Sequence, residues 1–276
     1  LKGTRVIDGK LQPIPELPKG VKTVIHRNKG AVMDAITVSG IPTKFVRVFT
    51  DATAVINVPV IKDHSLCGYT GALKNITHGC NTNPQSFHAH HCSPQIAELY
   101  AQDVVKSRVV LHVVDGYKAL YDGGPKDRKP GCRVPHEAIY VSTDPVALDV
   151  LGWEVIDKLR RDNALATLND ALAVGERHEE VWLEPELRRQ RGLIRLDLGD
   201  DAVAAEADLH QALTLARERE TRSWELRAAR DLARLWAERG ERQQALDLLN
   251  PVYDWFTEGF DTPDLVEARP LLDELR

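Results

Sequence analysis

The basic residues of this chain change identity near residue 160. Thirteen lysines occur up to Lys158 and none after it, whereas the 17 basic residues of the remaining stretch are all arginine. The four cysteines and eight of the ten histidines also lie before residue 159. We therefore expect two segments, residues 1–162 and residues 163–276, with any site chemistry in the first. A recent or artificial fusion is one hypothesis for this boundary, and it predicts that the two segments unfold independently.

Length, polarity and charge exclude several classes of protein. The 276 residues, of which 43% are apolar, are enough for two cores, which excludes a disordered protein, and the chain is too polar for a membrane protein. No apolar stretch reaches the roughly 20 residues of a membrane span. Residues 1–158 carry a net charge of +4 and the rest −9. The acidic tail disfavours nucleic acid as a partner, because phosphates require clustered Lys and Arg.

The amino terminus and the cysteines give information about the cellular compartment of the protein. The chain starts at Leu1 without an initiator Met or an apolar leader, so we expect a processed form or a fragment whose targeting segment could be missing. Localisation is undetermined, with the cytoplasm favoured for the tail. Four cysteines are too sparse for a disulfide scaffold, so reduced thiols are expected.

The tail predicts an all-α helical repeat. From Ala164 onward apolar residues recur at helical spacing among good helix formers, and an offset of 41 residues superposes residues 168–174 on residues 209–215. Large aromatic residues of such repeats pack between helices, although a peptide-binding groove is the alternative. We therefore expect an interhelix core that contains Trp182, Trp224, Trp236, Trp255 and Phe256.

The tail also carries two family resemblances. Residues 232–249, with small residues at Ala233, Gly240 and Ala245 and a large one at Trp236, are similar to a tetratricopeptide repeat. Residues 222–229 and 248–265 resemble the carboxy-terminal repeats of large bacterial regulators that carry a predicted ATPase or adenylate-cyclase-type domain. The likeness covers about residues 164–276 and implies an unidentified protein partner. No G-x-x-x-x-G-K-[ST] phosphate loop occurs in the chain.

The first segment predicts an α/β domain with a mostly parallel, doubly wound sheet. Three Val- and Ile-rich runs, at residues 54–61, 108–114 and 138–141, are typical of buried strands, and residues 94–106 predict a helix between them. Asp144 and Pro145 are the cap and first residue of a further helix. Weaker strand signals lie at residues 21–25, 35–38 and 45–49.

Polar residues follow each of the three strong strands. Lys62 and His64 come after the first, Asp115 after the second and Asp144 after the third. In an open α/β sheet ligands bind at this edge, because strand ends and helix amino termini converge there. One site is therefore expected to collect these residues.

The same stretches resemble the uncharacterised domain-of-unknown-function family 362. The motifs lie at residues 56–65, 69–75, 114–116 with 123–125, and 142–149, and the likeness covers about residues 40–162. The resemblance implies a ligand site without a settled reaction, and association with iron–sulfur proteins in some members. Members are usually longer at the amino terminus, so this domain is expected to be truncated. The ferredoxin-type C-x-x-C-x-x-C run is absent.

Four residues are candidates for catalysis. Lys62 and His64 share one side of an extended chain and could hold an anionic or carbonyl oxygen, with His64 as acid or base. Lys74 adds a second cation that loses its proton readily when desolvated. Asp115 is placed to orient His64. The alternatives are solvated loop residues and, for Asp115, a turn cap.

Five further residues are candidates for ligand binding. Asn75 supplies an amide, and the backbone amides of Gly123 and Gly124 could approach a phosphate or carboxylate, although a plain turn suits Gly123 and Gly124 as well. Asp144 is a helix cap by position, and Asp149 lies one turn further along the same helix. No G-x-G-x-x-G motif is present, so no nucleotide or dinucleotide cofactor is expected.

A metal signal lies in the segment of residues 80–92. Cys80, His88, His90, His91 and Cys92 combine thiolate and imidazole donors, which suit a divalent metal such as zinc or iron. The spacing departs from paired zinc-ligand motifs. The alternative is an irregular loop whose histidines are hydrogen-bonded or solvated.

Two functions follow from these patterns. The first is an enzyme, metal-assisted or iron–sulfur-associated, that acts on an anionic small molecule. The second is a non-enzymatic scaffold whose helical repeats bind a protein partner.

Overall fold

The computed structural model describes residues 4–7, 10–13, 34–178, 182–199 and 201–276. The strand expected at residues 21–25 lies outside this range. In chain order the elements of the first part are β1 (Thr4–Ile7), β2 (Lys10–Pro13), β3 (Ile36–Val38), β4 (Ile41–Thr43), α1 (Arg47–Asp51), β5 (Val55–Asn57), β6 (Val60–His64), β7 (Gly68–Thr70), α2 (Ala72–Cys80), α3 (Ser93–Tyr100), α4 (Asp103–Lys106), β8 (Val109–Leu120), β9 (Arg133–Ser142) and α5 (Pro145–His178).

The central sheet is mixed. β5 and β6 pair with β8 in parallel, whereas β9 pairs with β8, and β7 with β6, in antiparallel orientation. The prediction of a parallel third strand was wrong. A parallel pairing needs a crossover connection, and residues 121–132 between β8 and β9 contain no α-helix.

Two of the predicted strands have different ends in the structure. The run at residues 54–61 is divided at Pro59, which has no N–H for the ladder, and the chain resumes as β6 through His64. β8 continues to Leu120, so Asp115 lies within the strand and not after it. Lys62 and His64 likewise lie within β6.

The weaker signals had mixed outcomes. Residues 35–38 contain β3, which confirms that prediction. The helix expected at residues 94–106, a separate prediction, is present as the two helices α3 and α4. The strand expected at residues 45–49 was wrong, because α1 begins at Arg47. Phe45 and Phe49, spaced four residues apart, are both buried in the cluster that also holds Phe87 and Leu99.

Helix α5 runs through the boundary predicted at residue 162. Its first half buries Leu148 and Ile156 against the sheet, in a cluster with Ile61 and Val114. Its second half packs against the next helix of the tail, and Leu172 is buried there. No helix among the described residues, α5 included, has the length and apolar character needed to cross a membrane.

The tail is helical, as predicted. Its helices are α6 (Glu184–Leu198), α7 (Ala202–Glu218), α8 (Arg222–Glu238), α9 (Arg242–Asp254) and α10 (Pro263–Leu275). Each packs against the next, and α8 also contacts α6 and α10. Gly192 permits the close approach of α6 to α7, because a Cβ there would lie 2.8 Å from the carbonyl oxygen of Ala205.

The large aromatic residues of the tail are only partly in its core. Trp236 is 6% exposed, but Trp182 and Trp255 are 64% and 55% exposed. Their predicted burial was wrong, because Trp182 precedes the first residue of α6 and Trp255 follows the last residue of α9. Trp182 stacks on Trp224, with ring centroids 6.2 Å apart.

Buried arginines join the tail helices. Arg189 donates from Nε and Nη2 to the two carboxylate oxygens of Glu186, at 2.8 and 2.7 Å, and from Nη1 to Asp231 of α8. A lysine offers one nitrogen and cannot form this fork. Arginine is therefore required at such positions for geometry as well as for charge.

Because α5 is continuous across residue 162, we predict that the α/β part and the helical tail unfold together. Ala166 is exposed in the middle of this helix, so a proline there costs about 3 kcal/mol of helix stability and a glycine about 1. We expect one calorimetric transition for the unmodified chain, two separated transitions for Ala166→Pro, and a single, lowered transition for Ala166→Gly. Two resolved transitions in the unmodified chain would instead support the independent unfolding of a fusion.

Candidate functional site

An open pocket of about 290 Å³ lies between strand β6, helix α2 and the segment that follows α2. None of the described lining residues is acidic, whereas two are lysines and three are histidines. The lining residues are Lys62, His64, Thr70, Lys74, Asn75, His78, Gly79, Pro84, Gln85, His88 and Pro125. A pocket with this composition attracts anions.

Alternation along β6 places Lys62 and His64 in this pocket and Asp63 on the opposite side. The shared side of Lys62 and His64 is as predicted. Asp63 forms an ion pair with Arg160 of α5, Oδ1 to Nη2 at 2.5 Å, and accepts a hydrogen bond from Gly124 N at 2.9 Å. Sequence reasoning missed this positioning role, although the same alternation points Asp63 toward the helix layer.

The loop at Gly123 and Gly124 packs against Asp63. A Cβ at Gly124 would lie 1.9 Å from the backbone oxygen of Asp63, and Gly123 has φ +81°. Both positions therefore require glycine. Since the Gly124 amide already donates to Asp63, the structure gives it a packing role in place of the predicted ligand contact.

Asp149 holds the first turn of α2. Its carboxylate accepts hydrogen bonds from the backbone amides of Ala72 and of Leu73, the latter at 3.0 Å. Burial raises the pKa of Asp149 to about 6. Asp149 was a predicted ligand, but it lies behind the pocket and positions the helix that carries Lys74.

Asn75 is fixed from the sheet side. Its Nδ2 donates to Asn57 Oδ1 at 2.8 Å, and Asn57 Nδ2 donates to Ala72 O at 2.8 Å and contacts His112 Nδ1 at 2.9 Å. Burial lowers the pKa of His112. The sequence did not single out Asn57 or His112, because their roles depend on β5 lying beside β8.

The structure does not bring Asp115 to His64. Asp115 is exposed on β8, and its carboxylate accepts from the backbone amide of Tyr117 at 2.9 Å. The Nδ1 atom of His64 instead accepts from the amides of Leu66 and Cys67, at 3.2 and 3.3 Å. The backbone of the β6–β7 turn therefore orients His64.

Asp144 is a helix cap, as its position suggests. Its Oδ1 accepts from the amides of Val146 and Ala147, at 2.8 and 3.2 Å, in the first turn of α5. These bonds satisfy helix donors that would otherwise lack a partner. Asp144 does not line the pocket.

His64 is neutral at physiological pH. Burial first, and then the charge of Lys74, lowers its pKa to about 4. Because Nδ1 accepts two backbone hydrogen bonds, the ring proton is on Nε2. His64 is thus arranged as a hydrogen-bond donor and not as a group that titrates near pH 7.

Lys74 has an amine that loses its proton readily. Burial, and secondarily the charge of Lys62, lowers its pKa to about 8. Its Nζ lies 3.4 Å from His88 Nε2. The predicted proximity of Lys62, His64 and Lys74 is present in the structure.

Two more imidazoles complete the pocket wall. His88 donates from Nδ1 to Pro84 O at 3.0 Å, which leaves the Nε2 lone pair available. His78 donates from Nε2 to Phe87 O at 3.0 Å, and burial lowers its pKa to about 4. His78 was not foreseen, and only its position four residues after Lys74 on α2 could have indicated it.

The predicted metal ligands separate into two groups. His88 and Cys92 lie in clusters of candidate donors, His64–Cys67–His88 and His78–His88–Cys92, whose ligand atoms are within 4.8 Å of one another. Cys80 is instead buried in the core, which raises the pKa of its thiol to about 12. The described clusters contain neither His90 nor His91, and His91 Nδ1 contacts Leu66 O at 3.1 Å.

Cys67 is disulfide-bonded to Cys92, so the expectation of four reduced thiols was wrong. The two cysteines are 25 residues apart and meet only through the fold. Cys80 and Cys132 are free and lie outside the donor clusters. The four cysteines therefore do not assemble into the Cys₄ set typical of an iron–sulfur cluster.

Residues 19–154 match the family model described as Domain of unknown function (DUF362). The match includes every residue of the pocket and both half-cystines, and it supports the resemblance seen in the motifs. The α/β segment is thus similar to a family of unknown function. No curated protein and no solved structure matches the chain.

The raised pKa of Asp149 predicts a pH dependence of stability. Since its pKa rises from 3.8 to about 6 on folding, its contribution is fully present below pH 3.8 and is lost as pH rises through about 6. The slope is at most about 1.4 kcal/mol per pH unit. In urea unfolding, the stability of Asp149→Asn relative to the unmodified chain should therefore increase across this window. Exposed Asp170→Asn is the control, and an equal slope there would contradict the assignment.

Proposed function

We propose that the α/β part is an enzyme that acts on an anionic small molecule, a carboxylate or a phosphate, bound in the pocket beside β6 and α2. The observation that carries the proposal is the convergence of two lysines and three histidines on an open pocket without a described acidic residue. Thr70 adds to it, because its hydroxyl is buried and has no hydrogen-bond partner among the described residues. A bound oxyanion would accept from Thr70.

Lys62 and Lys74 form the charge clamp of this proposal. Burial, and secondarily the repulsion by Lys62, lowers the pKa of Lys74, and an anion between the two lysines would offset the repulsion. Binding is therefore stronger when Lys74 is protonated.

His64, expected from the sequence to be the acid or base, has a different role in this proposal. His64, neutral and protonated on Nε2, donates a hydrogen bond to the reacting oxygen. Lys74, with a pKa lowered from 10.5 to about 8, gives up its proton more readily than an ordinary lysine does, and its protonated form is the one that binds the anion. We infer that Lys74 transfers the proton in the reaction.

Calorimetric titration with inorganic phosphate and with succinate tests the clamp. We expect the affinity to fall by up to about tenfold per pH unit above pH 8, with net proton uptake in that range, because binding raises the pKa of Lys74. Lys74→Met should abolish the proton uptake, and Lys62→Met should weaken binding.

Lys106→Met is the matched control, because Lys106 is exposed on α4 away from the pocket. It should bind both anions as the unmodified protein does. Absence of binding by either anion, or equal losses in the Lys106 and Lys74 variants, would contradict the proposed function.

A second candidate function is protein binding by the tail, in the manner of tetratricopeptide-like repeats. The exposed Trp182, stacked on Trp224, favours it, since exposed tryptophans are enriched among residues that dominate binding energy. For a partner captured by the full chain, Trp182→Ala should reduce affinity by about 30-fold, corresponding to roughly 2 kcal/mol. Val203→Ala, exposed on α7, should not. Equal affinities of the two variants would exclude this surface.

A further inference from the structure

The Cys67–Cys92 disulfide lies beside imidazole donors at the edge of the pocket. Cys67 is in the turn after β6, and Cys92 immediately precedes α3, with their Cα atoms 5.7 Å apart. His88 has a ligand atom within 4.8 Å of each cysteine's sulfur. Reduction of this disulfide would therefore free two thiols next to an imidazole.

His88 is the imidazole best prepared to bind a metal. Its Nδ1–H donates to Pro84 O at 3.0 Å, the outer hydrogen bond that commonly fixes the tautomer of a ligating histidine. His88 lines the pocket, and among the described residues its Nε2 has a hydrogen-bond contact with Lys74 Nζ at 3.4 Å. By contrast, the Nδ1 lone pair of His64 accepts from two backbone amides, and His78 Nδ1 is in contact with Thr77 Oγ1 at 3.1 Å.

The nearby charges decide between possible ligand sets. Lys62 and Lys74 line the same pocket, so a divalent ion held by three neutral imidazoles would add two positive charges beside two ammonium groups. Two thiolates cancel the charge of the ion. The site therefore favours a set that contains both sulfurs.

We propose that reduction of the Cys67–Cys92 disulfide creates a zinc-type divalent metal site with Cys67 Sγ, Cys92 Sγ and His88 Nε2 as ligands and a fourth position open to the pocket. Two cysteines and one histidine with an open fourth position are a known ligand set of catalytic zinc. Metal binding is measurable without any substrate, so this site can be tested separately from the anion clamp.

The redox step requires a dithiol reductant. One thiolate of the dithiol attacks Cys67 Sγ and releases Cys92 as a thiolate, because Cys67 is half-buried whereas Cys92 is 0% exposed. The second thiol of the dithiol then releases Cys67 and leaves as the oxidised disulfide, so two electrons pass to the protein. Binding of the metal displaces the protons held by the two cysteine thiols. A disulfide oxidant reverses the sequence: it takes up two electrons by thiol–disulfide exchange, the Cys67–Cys92 bond forms again and the metal is released.

Titration of the full chain with Co(II) and Zn(II), before and after dithiol reduction and removal of the reductant, tests the site. We expect one tightly bound equivalent only in the reduced protein, with about two protons released per metal at pH values below the thiol pKa. Co(II) should show thiolate-to-metal charge-transfer absorption, which reports sulfur ligation without any variant. A reduced protein that binds no metal, or an oxidised protein that binds it equally, would overturn the proposal.

Matched variants identify the ligands. Cys67→Ser, Cys92→Ser and His88→Gln should each weaken binding by more than the roughly 10–100-fold typical of losing an outer hydrogen-bond partner. Cys132→Ser and His90→Gln should bind as the unmodified chain does, with circular dichroism confirming that each variant is folded. Equal losses in the control variants, or a loss in His64→Gln as large as that in His88→Gln, would refute this ligand set. Lys74→Met should retain metal binding even though it abolishes the proton uptake that accompanies anion binding.

Discussion

Helix α5 is the element on which the rest of the structure depends. From its first turns Asp149 caps α2, and from its middle Arg160 binds Asp63 of β6. Its second half packs against α6. The two elements that carry the lysines of the pocket are therefore fixed by one helix, which is also the first helix of the tail. A change in the tail that displaces α5 would consequently reach the pocket through Asp63 and Asp149.

These two carboxylates hold the site in different ways. Asp63 is buried against a guanidinium and a backbone amide, so its charge has a partner. Among the described residues, Asp149 accepts from the amides of Ala72 and Leu73, and burial outweighs these bonds, as its raised pKa shows. Removal of Arg160 would leave Asp63 as an uncompensated buried charge, which is among the more destabilising changes known for ion pairs. The buried charge of Asp149 is itself incompletely compensated, because a helix amino terminus compensates a carboxylate less completely than a full positive charge does.

Local sequence patterns predicted the structural features that depend on residues close together in the chain. The alternation in β6 placed Lys62 and His64 on one side, and the Asp144–Pro145 pair located the start of α5. The contacts that depend on register and on chain path could not be foreseen. Asp115 lies inside β8 because the antiparallel pairing with β9 extends the strand, and that pairing is a tertiary feature.

The cysteine pair shows the same limit. Cys92 reaches Cys67 because His90, His91 and Cys92 all adopt positive φ angles of 49°, 55° and 65°. Residues other than glycine rarely adopt this conformation, so no propensity scale would indicate it. The donors that cluster are therefore not those nearest in sequence. Cys80 is buried in the core, whereas Cys67, which is 25 residues from Cys92, forms the disulfide with it.

The division between lysine and arginine at residue 158 coincides with two different physical demands on cations. In the proposed function the pocket binds an anion and moves a proton, which needs a cation whose pKa can fall into the working range. Lysine meets this need, whereas arginine stays charged. The helical tail needs cations that join carboxylates on different helices, as Arg189 joins Glu186 of α6 to Asp231 of α8. There the planar guanidinium satisfies several acceptors at once. The same change in composition that marks the boundary between the segments thus also separates titratable chemistry from permanent structural charge.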